Sequence, residues 1–241
     1  MSIGKPYFKQ LTPSTGHSRN RDDLTTFTTG GNNYSYKYDP TGLRTKKDAP
    51  TGTTRYHYDN RGRVIAESNA GGAVTAQNIW GKNALARKVN GSYYYYVYNG
   101  HGDVVQVIDG SGNVVNNYKY DEWGNILQKT EGIANPLKYA GEYFDDESGL
   151  YYLMARYYDP TIGRFISRDS FGGYLNNPLS LNGYAYAWGN PLKYIDPSGC
   201  DVGWAQETDD AYYGYSDDTG SDCGAMVQTR ESSNDVVQEP W

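Results

Sequence analysis

The sequence is short of the residues that most enzyme sites are built from. Among 241 residues there are two cysteines, Cys200 and Cys223, and three histidines, His17, His57 and His101. Two cysteines fit neither a disulfide framework nor a zinc site. Histidines so far apart give no support to a metal site or a His-dependent triad, and each is read as a surface or strand residue. No cofactor and no metal are expected. Long apolar runs are missing too, so no segment is expected to span a membrane. The first sixteen residues, MSIGKPYFKQLTPSTG, lack the apolar core of a signal peptide. Classical secretion of this chain on its own is therefore not encoded. Export by a dedicated machine, or within a longer parent, fits the sequence, and localisation stays open.

Phenylalanine is scarce and tyrosine is not: 5 Phe stand against 26 Tyr. Tyrosine favours pleated, half-buried surfaces and carries a hydroxyl that must stay wet or find a partner. With 29 Gly and 10 Pro, long helices are excluded and frequent turns expected. The composition points to an all-β chain. The net charge of −6 is unevenly placed. Residues 201–241 hold ten acids against one base, Arg230, so the first 200 residues carry +3. That excess is too small and too scattered for a nucleic-acid surface.

A repeat then emerges. Tyr38-Asp39-Pro40-Thr41-Gly42 is followed by Tyr58-Asp59-Asn60-Arg61-Gly62, Tyr98-Asn99-Gly100-His101-Gly102 and Tyr120-Asp121-Glu122-Trp123-Gly124. A degenerate copy stands at Ile79-Trp80-Gly81. A spacing near 20 residues is the signature of a repeat architecture. Before each motif, period-2 alternation puts Tyr34, Tyr36 and Tyr38, or Tyr94, Tyr96 and Tyr98, on one face of a strand. The Asp-x-x-Gly portion supplies a turn: the Asp side chain bonds backbone two residues on, and Gly accepts φ > 0. A second strand follows, as in Val104-Val105-Gln106-Val107-Ile108. Successive hairpins predict a long antiparallel sheet, coiled or curved. The spaced Asp residues belong to turn geometry, since no unit has the ligand density of a calcium loop.

From Gly141 the pattern changes. Gly141-Glu142-Tyr143-Phe144-Asp145, Gly149-Leu150-Tyr151-Tyr152, Ala155-Arg156-Tyr157-Tyr158-Asp159-Pro160, Gly163-Arg164-Phe165-Ile166-Ser167-Arg168-Asp169 and Asn190-Pro191-Leu192-Lys193-Tyr194-Ile195-Asp196-Pro197-Ser198-Gly199 follow in order. The repeats and these elements resemble the RHS (YD-repeat) family, whose relatives include the C components of ABC toxin complexes and the teneurins. The stretch 139–200 is similar to the RHS-repeat-associated core. The resemblance divides the chain into a polar lead-in (1–30), YD repeats (31–138), the associated core (139–200) and a variable acidic tail (201–241). It implies a β-shell, of which this chain forms part, closed by the core and enclosing the C-terminal segment as cargo. A closed shell needs more repeats than this, so the sheet has an edge to be covered by a partner. The partners implied are the rest of a longer shell or a secretion-machine component.

The resemblance also implies a cut near Cys200 by aspartic-protease-like chemistry, with Asp169, Asp196 and Arg168 as its residues. The junction residues are Gly199, Cys200 and Asp201, with Cys200–Asp201 the first choice of bond and Gly199–Cys200 the second. Two close carboxylates share a proton, so one serves as base and the other as donor, and Arg168 orients a carboxylate or stabilises the oxyanion. The substrate is tethered, so the reaction is intramolecular and single-turnover. Asp196 also has a plain turn reading, because Asp-Pro-Ser-Gly is a common turn sequence. Arg156 and Arg164 are expected to pair with shell carboxylates or stack on tyrosines. Residues 174–180 lengthen the link between Asp169 and Asn182 relative to the family pattern, a change that loosens the pair. The 41-residue tail is too polar to bury a core and is expected to be disordered. Two other functions fit the sequence: a non-cleaving structural remnant, and a surface module binding carbohydrate or protein.

Overall fold

The structure is a computed structural model, and it describes residues 8–13, 22–169, 172–173, 175, 178–200 and 202–204. Twelve strands form one antiparallel sheet in chain order. They are β1 (Phe8–Pro13), β2 (Asp22–Thr29), β3 (Asn32–Tyr38), β4 (Arg44–Ala49), β5 (Gly52–Tyr58), β6 (Val64–Ser68), β7 (Val74–Trp80), β8 (Ala84–Val89), β9 (Ser92–Tyr98), β10 (Val104–Asp109), β11 (Val114–Tyr120) and β12 (Ile126–Glu131). The chain is all-β, as its composition requires. β1 and β2 extend the sheet into the stretch read from sequence as a lead-in, and Leu24 and Phe27 of β2 are buried.

The Asp-x-x-Gly turns behave as their chemistry demands. Asp39 Oδ1 accepts the N–H groups of Thr41 (2.8 Å) and Leu43 (3.0 Å). Gly42 closes the turn at φ +89°, donating to the Asp39 carbonyl at 2.9 Å. Asp59, Asp109 and Asp121 repeat the arrangement. Asn69 and Asn99 use an amide oxygen in the same way.

The tyrosine that opens each motif has a second function. Its hydroxyl reaches back to a buried carbonyl of the preceding strand. Tyr38 donates to Leu24 (2.7 Å), Tyr58 to Arg44 (2.6 Å), Tyr98 to Ala84 (2.8 Å) and Tyr120 to Val104 (2.9 Å). In the degenerate copy the Trp80 indole N–H takes the place of the hydroxyl and donates to Val64 (2.9 Å). The five acceptors stand 20 residues apart, and all are buried. Each of these carbonyls lies beside a bulge in the ladder: the register shifts at Gln10/Leu11 opposite Leu24, at Lys37/Tyr38 opposite Arg44, at His57/Tyr58 opposite Val64, at Ile79/Trp80 opposite Ala84 and directly after Val104. The side-chain bond therefore belongs to the same defect that bends and twists the sheet once per repeat.

A second, four-stranded sheet follows: β13 (Tyr143–Asp145), β14 (Leu150–Leu153), β15 (Arg156–Asp159) and β16 (Arg164–Phe165). A short pair, β17 (Tyr194–Ile195) and β18 (Gly203–Trp204), comes last. One face of the second sheet carries Tyr143, Tyr152 and Tyr157 into the core of the large sheet. Two buried cations fix it there. Arg44 pairs with Asp145, both at most 2% exposed, and its guanidinium lies within 6 Å of the rings of Tyr36, Tyr56, Tyr152 and Tyr157. Arg87 forks onto Glu67 at 3.0 and 2.9 Å, and Tyr143 O–H joins the same carboxylate. Breaking either pair would leave a buried charge alone, a loss on the order of 3–5 kcal/mol.

The other end of the core grips the last repeat turn. Tyr139, Tyr158 and Tyr151 donate their hydroxyls to three successive carbonyls, Glu122 (2.9 Å), Trp123 (2.7 Å) and Gly124 (2.8 Å). Gly124 continues the 20-residue series of acceptors, and here the donor comes from β14 instead of from another repeat. The core thus terminates the array by supplying the hydroxyl that a further repeat would have supplied.

Removing one such hydroxyl leaves a buried carbonyl unsatisfied, a cost of about 1–3 kcal/mol. Tyr98→Phe is therefore expected to lower stability by that amount in urea unfolding. Tyr95→Phe, on the exposed face of the same strand (44% exposed), should change it by less than about 0.5 kcal/mol. Equal effects would contradict the role given to the hydroxyl ladder.

Candidate active site

Arg156, not Arg168, is the cation that joins the sequence-distant aspartates. It opens β15, directly after the two-residue turn Met154–Ala155, and pairs with Leu153 of β14. It is 6% exposed and its guanidinium lies 3.6 Å from the centre of the Phe165 ring. All its nitrogens are engaged. Nη2 donates to Asp169 Oδ2 (2.7 Å) and Asp196 Oδ2 (3.3 Å). Nη1 donates to the Gly183 carbonyl (3.0 Å), and Nε donates to the Gly199 carbonyl.

The 27 residues between Asp169 and Asp196 are thus spanned by folding. Their nearest oxygens share one nitrogen, at 2.7 and 3.3 Å, which caps their separation at 6.0 Å. Asp196 is 1% exposed and the Asp169 side chain 11%. Asp169 is positioned from its backbone as well, through its N–H to the Gly183 carbonyl at 2.7 Å. Arg168 is exposed, and its side chain runs along Gly183. Among the described contacts it is Arg156 that meets both carboxylates. The sequence reading had Arg156 pairing with carboxylates or stacking on a ring. It does both, with the carboxylates of the site itself and with Phe165.

Asp196 serves two structures at once. Its Oδ1 accepts the Cys200 N–H (2.9 Å) and the Ser198 hydroxyl (3.4 Å). The bond to the residue four positions on is the one made by Asp39, Asp59 and Asp121, so Asp196-Pro197-Ser198-Gly199 is a further copy of the repeat turn. Its Oδ2 is left to face Arg156. The turn is pressed onto the end of the β14–β15 hairpin: Ala155 N–H donates to Ser198 O (3.1 Å), and a Cβ at Gly199, which lies at φ +71°, would collide with the Leu153 carbonyl. The Gly199–Cys200 peptide is consequently held on both sides, its carbonyl by Arg156 and its N–H by Asp196.

Cys200 is disulfide-bonded, contrary to the reading that excluded a disulfide. Two cysteines in a chain of this length carry no spacing pattern that would reveal a bond. Cys223, Asp201 and the tail from 205 onward lie outside the described residues. So do Tyr174, Asn176 and Asn177 of the lengthened link. Gly173 abuts the backbone of Ser180 and Leu181.

One acid in this region had no sequence signal. Glu142 follows the turn Tyr139–Gly141, in which Ala140 and Gly141 both have positive φ. Burial first, and the Asp196 carboxylate second, hold its carboxyl well above the usual range. Burial first, then the Tyr139 and Tyr158 phenols and the Asp196 and Glu142 carboxyls, push the Tyr186 phenol well above its usual range.

The fold and its closing core define a YD-repeat array with an end cap, and comparison with known proteins agrees. Residues 81–192 match the Teneurin YD-shell family and residues 38–74 the RHS Repeat family. The tRNA3(Ser)-specific nuclease WapA of Bacillus spizizenii is 42% identical over 188 residues, which cover 74% of this chain and 8% of that protein. The double-stranded DNA deaminase toxin A of Burkholderia cenocepacia is 38% identical over 103 residues, 39% of this chain and 7% of that protein. The structure of TcdB2-TccC3-TEV shares the fold, with a TM-score of 0.60 and 23% identity over 79% of this chain and 10% of that one. The chain belongs to the RHS/YD-repeat family, and it spans about a tenth or less of the length of these relatives.

The Asn190–Gly199 segment is tied to the repeats through His101. Its Nδ1 meets Asp103 Oδ1 at 2.8 Å and its Nε2 meets the Pro191 carbonyl at 2.7 Å. Burial opposes a charge on His101, but the Asp103 carboxylate and the Pro191 carbonyl outweigh it and raise its pKa above 6.5. A raised histidine stabilises fully below its unfolded value and loses that contribution as pH climbs through its folded value. The stability gap between wild type and His101→Gln is therefore expected to be widest below pH 6 and to shrink as pH rises past neutrality. Urea unfolding at several pH values reads this directly, and a gap independent of pH would refute it.

Proposed function

We propose that this chain is the closing end of a YD-repeat β-shell and that it cuts itself once beside Cys200, freeing the C-terminal segment as the shell's cargo. The observation that carries the proposal is the Arg156 guanidinium, which meets Asp169, Asp196 and the Gly199 carbonyl together. In this scheme Asp169, the more open of the two, takes a proton from the attacking water. Arg156 stabilises negative charge as the carbonyl becomes tetrahedral. Asp196 holds the Cys200 amide in place. The substrate is already bound as part of the chain, so the site needs positioning and no separate pocket. Clamping of the Gly199–Cys200 peptide on both sides favours that bond. The family resemblance favours the next one, Cys200–Asp201.

A non-cleaving reading has one observation of its own. Asp196 makes the same turn as the repeat aspartates, which is all that a purely structural clamp requires. The remaining repeats of a longer shell, or a component of a secretion machine, are the proposed partners at the open edge of the sheet.

Mass spectrometry of the purified chain tests the cut. The sample must be reduced, since after a cut at Cys200–Asp201 a disulfide at Cys200 would hold the products together. The wild type should give a fragment ending at Gly199 or Cys200, and Asp169→Asn and Asp196→Asn should give the uncut mass. An uncut wild type would leave the structural reading standing.

A further inference from the structure

We propose that Ser198 is a further catalytic residue of the cutting site, the group that gives its hydroxyl proton to the departing amine of Cys200. The inference rests on the self-cleavage reading above and commits it to the Gly199–Cys200 bond.

The molecule supplies its own comparison. Asp39-Pro40-Thr41, Asp159-Pro160-Thr161 and Asp196-Pro197-Ser198 share one pattern, each with a hydroxyl two residues after the aspartate. In the first two the hydroxyl donates to that aspartate at 2.6 Å, the short bond a carboxylate makes with an O–H. In the third the Ser198 hydroxyl lies 3.4 Å from Asp196 Oδ1. It lies closer to the Cys200 nitrogen, at 3.2 Å, and accepts that N–H together with Asp196 Oδ1 at 2.9 Å. At Asp39 the matching N–H, that of Leu43, goes to the aspartate at 3.0 Å. The turn that enters the site thus differs from its sisters in where the hydroxyl sits, and the difference brings the hydroxyl to the leaving atom.

The main chain fixes this placement. The Ser198 carbonyl accepts the Ala155 N–H at 3.1 Å. Gly199 is pressed against Leu153 and Arg156 too closely to carry a side chain. A hydroxyl both accepts and donates. Ser198 therefore holds the Cys200 N–H in the intact chain and can donate once that nitrogen gains a lone pair. A general acid must lie within about 3.2 Å of the atom it protonates, and Ser198 meets that limit. Asp196 meets it too, but divides its oxygens between the Cys200 N–H and Arg156.

The proton balance closes. Water adds its oxygen to the Gly199 carbonyl carbon and gives one proton to Asp169. The C–N bond breaks, and the Cys200 nitrogen takes the Ser198 hydroxyl proton. The serine oxygen is refilled through Asp196 Oδ1 with the proton that two close carboxylates share. The pair of aspartates ends with one proton, as it began. No oxidant, reductant or cofactor enters.

The test compares wild type with Ser198→Ala, Ser198→Thr and Ser198→Val. Mass spectrometry of reduced samples follows the rate of cutting and the new chain end, and urea unfolding checks the fold. The wild-type fragment should end at Gly199. Ser198→Ala should be cut about 10²-fold more slowly. Thr and Val have one shape and differ by the hydroxyl, so Ser198→Thr should keep most of the wild-type rate and Ser198→Val should be as slow as Ser198→Ala. Equal rates for the folded Thr and Val variants would overturn the role of Ser198 and leave the cut itself intact. A wild-type fragment ending at Cys200 would do the same, because the leaving nitrogen would then be that of Asp201. An uncut wild type would overturn both the role and the cut.

Discussion

A buried tyrosine hydroxyl needs a partner, and that need organises this molecule. The sheet packs rows of tyrosine where another protein would use phenylalanine or leucine. Each motif tyrosine solves the problem by reaching back to the preceding strand, to a carbonyl beside a bulge. Bulge, bent strand and buried hydroxyl therefore come as one unit, and the unit recurs with the sequence period. A carbonyl left without its donor would be costly, so the array needs an end. The core provides it, placing three tyrosine hydroxyls on the last turn.

The candidate site is built with the same devices. Asp196 makes the turn that Asp39 and Asp59 make, but the turn is buried against a hairpin instead of lying at the surface. Burial gives its second oxygen a new task, because an aspartate at 1% exposure must find a cation. Arg156 answers that need and brings Asp169 and the Gly199 carbonyl to the same place. A turn repeated for structure lies inward here, where its carboxylate meets Arg156.

The repeat part of the fold was legible because its determinants are local. Period-2 tyrosines, Asp-x-x-Gly turns and a spacing near 20 residues act within a single hairpin. Even the degenerate copy at Trp80 was visible, although its indole N–H standing in for a hydroxyl was not. The family pattern brought out Asp169 and Asp196, and both meet at Arg156. That Arg156 is the arginine meeting both carboxylates was not legible, for a physical reason. Adjacency in sequence to Asp169 gives no information about which side of the chain faces the buried turn. Only the pairing of Arg156 with Leu153 across the hairpin decides that. Glu142 was out of reach for the same reason, since its place depends on the register of β13 and β14. The disulfide at Cys200 had no local signal at all.

The central claim is that Arg156 joins the acids to the bond beside Cys200, so the most direct measurement concerns that residue. Lysine keeps the charge but lacks the fork that reaches two carboxylates and a carbonyl together. The account predicts that reduced Arg156→Lys, still folded by circular dichroism, shows only the full-length mass under conditions where wild type is cut. A folded Arg156→Lys chain cut as fast as wild type would contradict it.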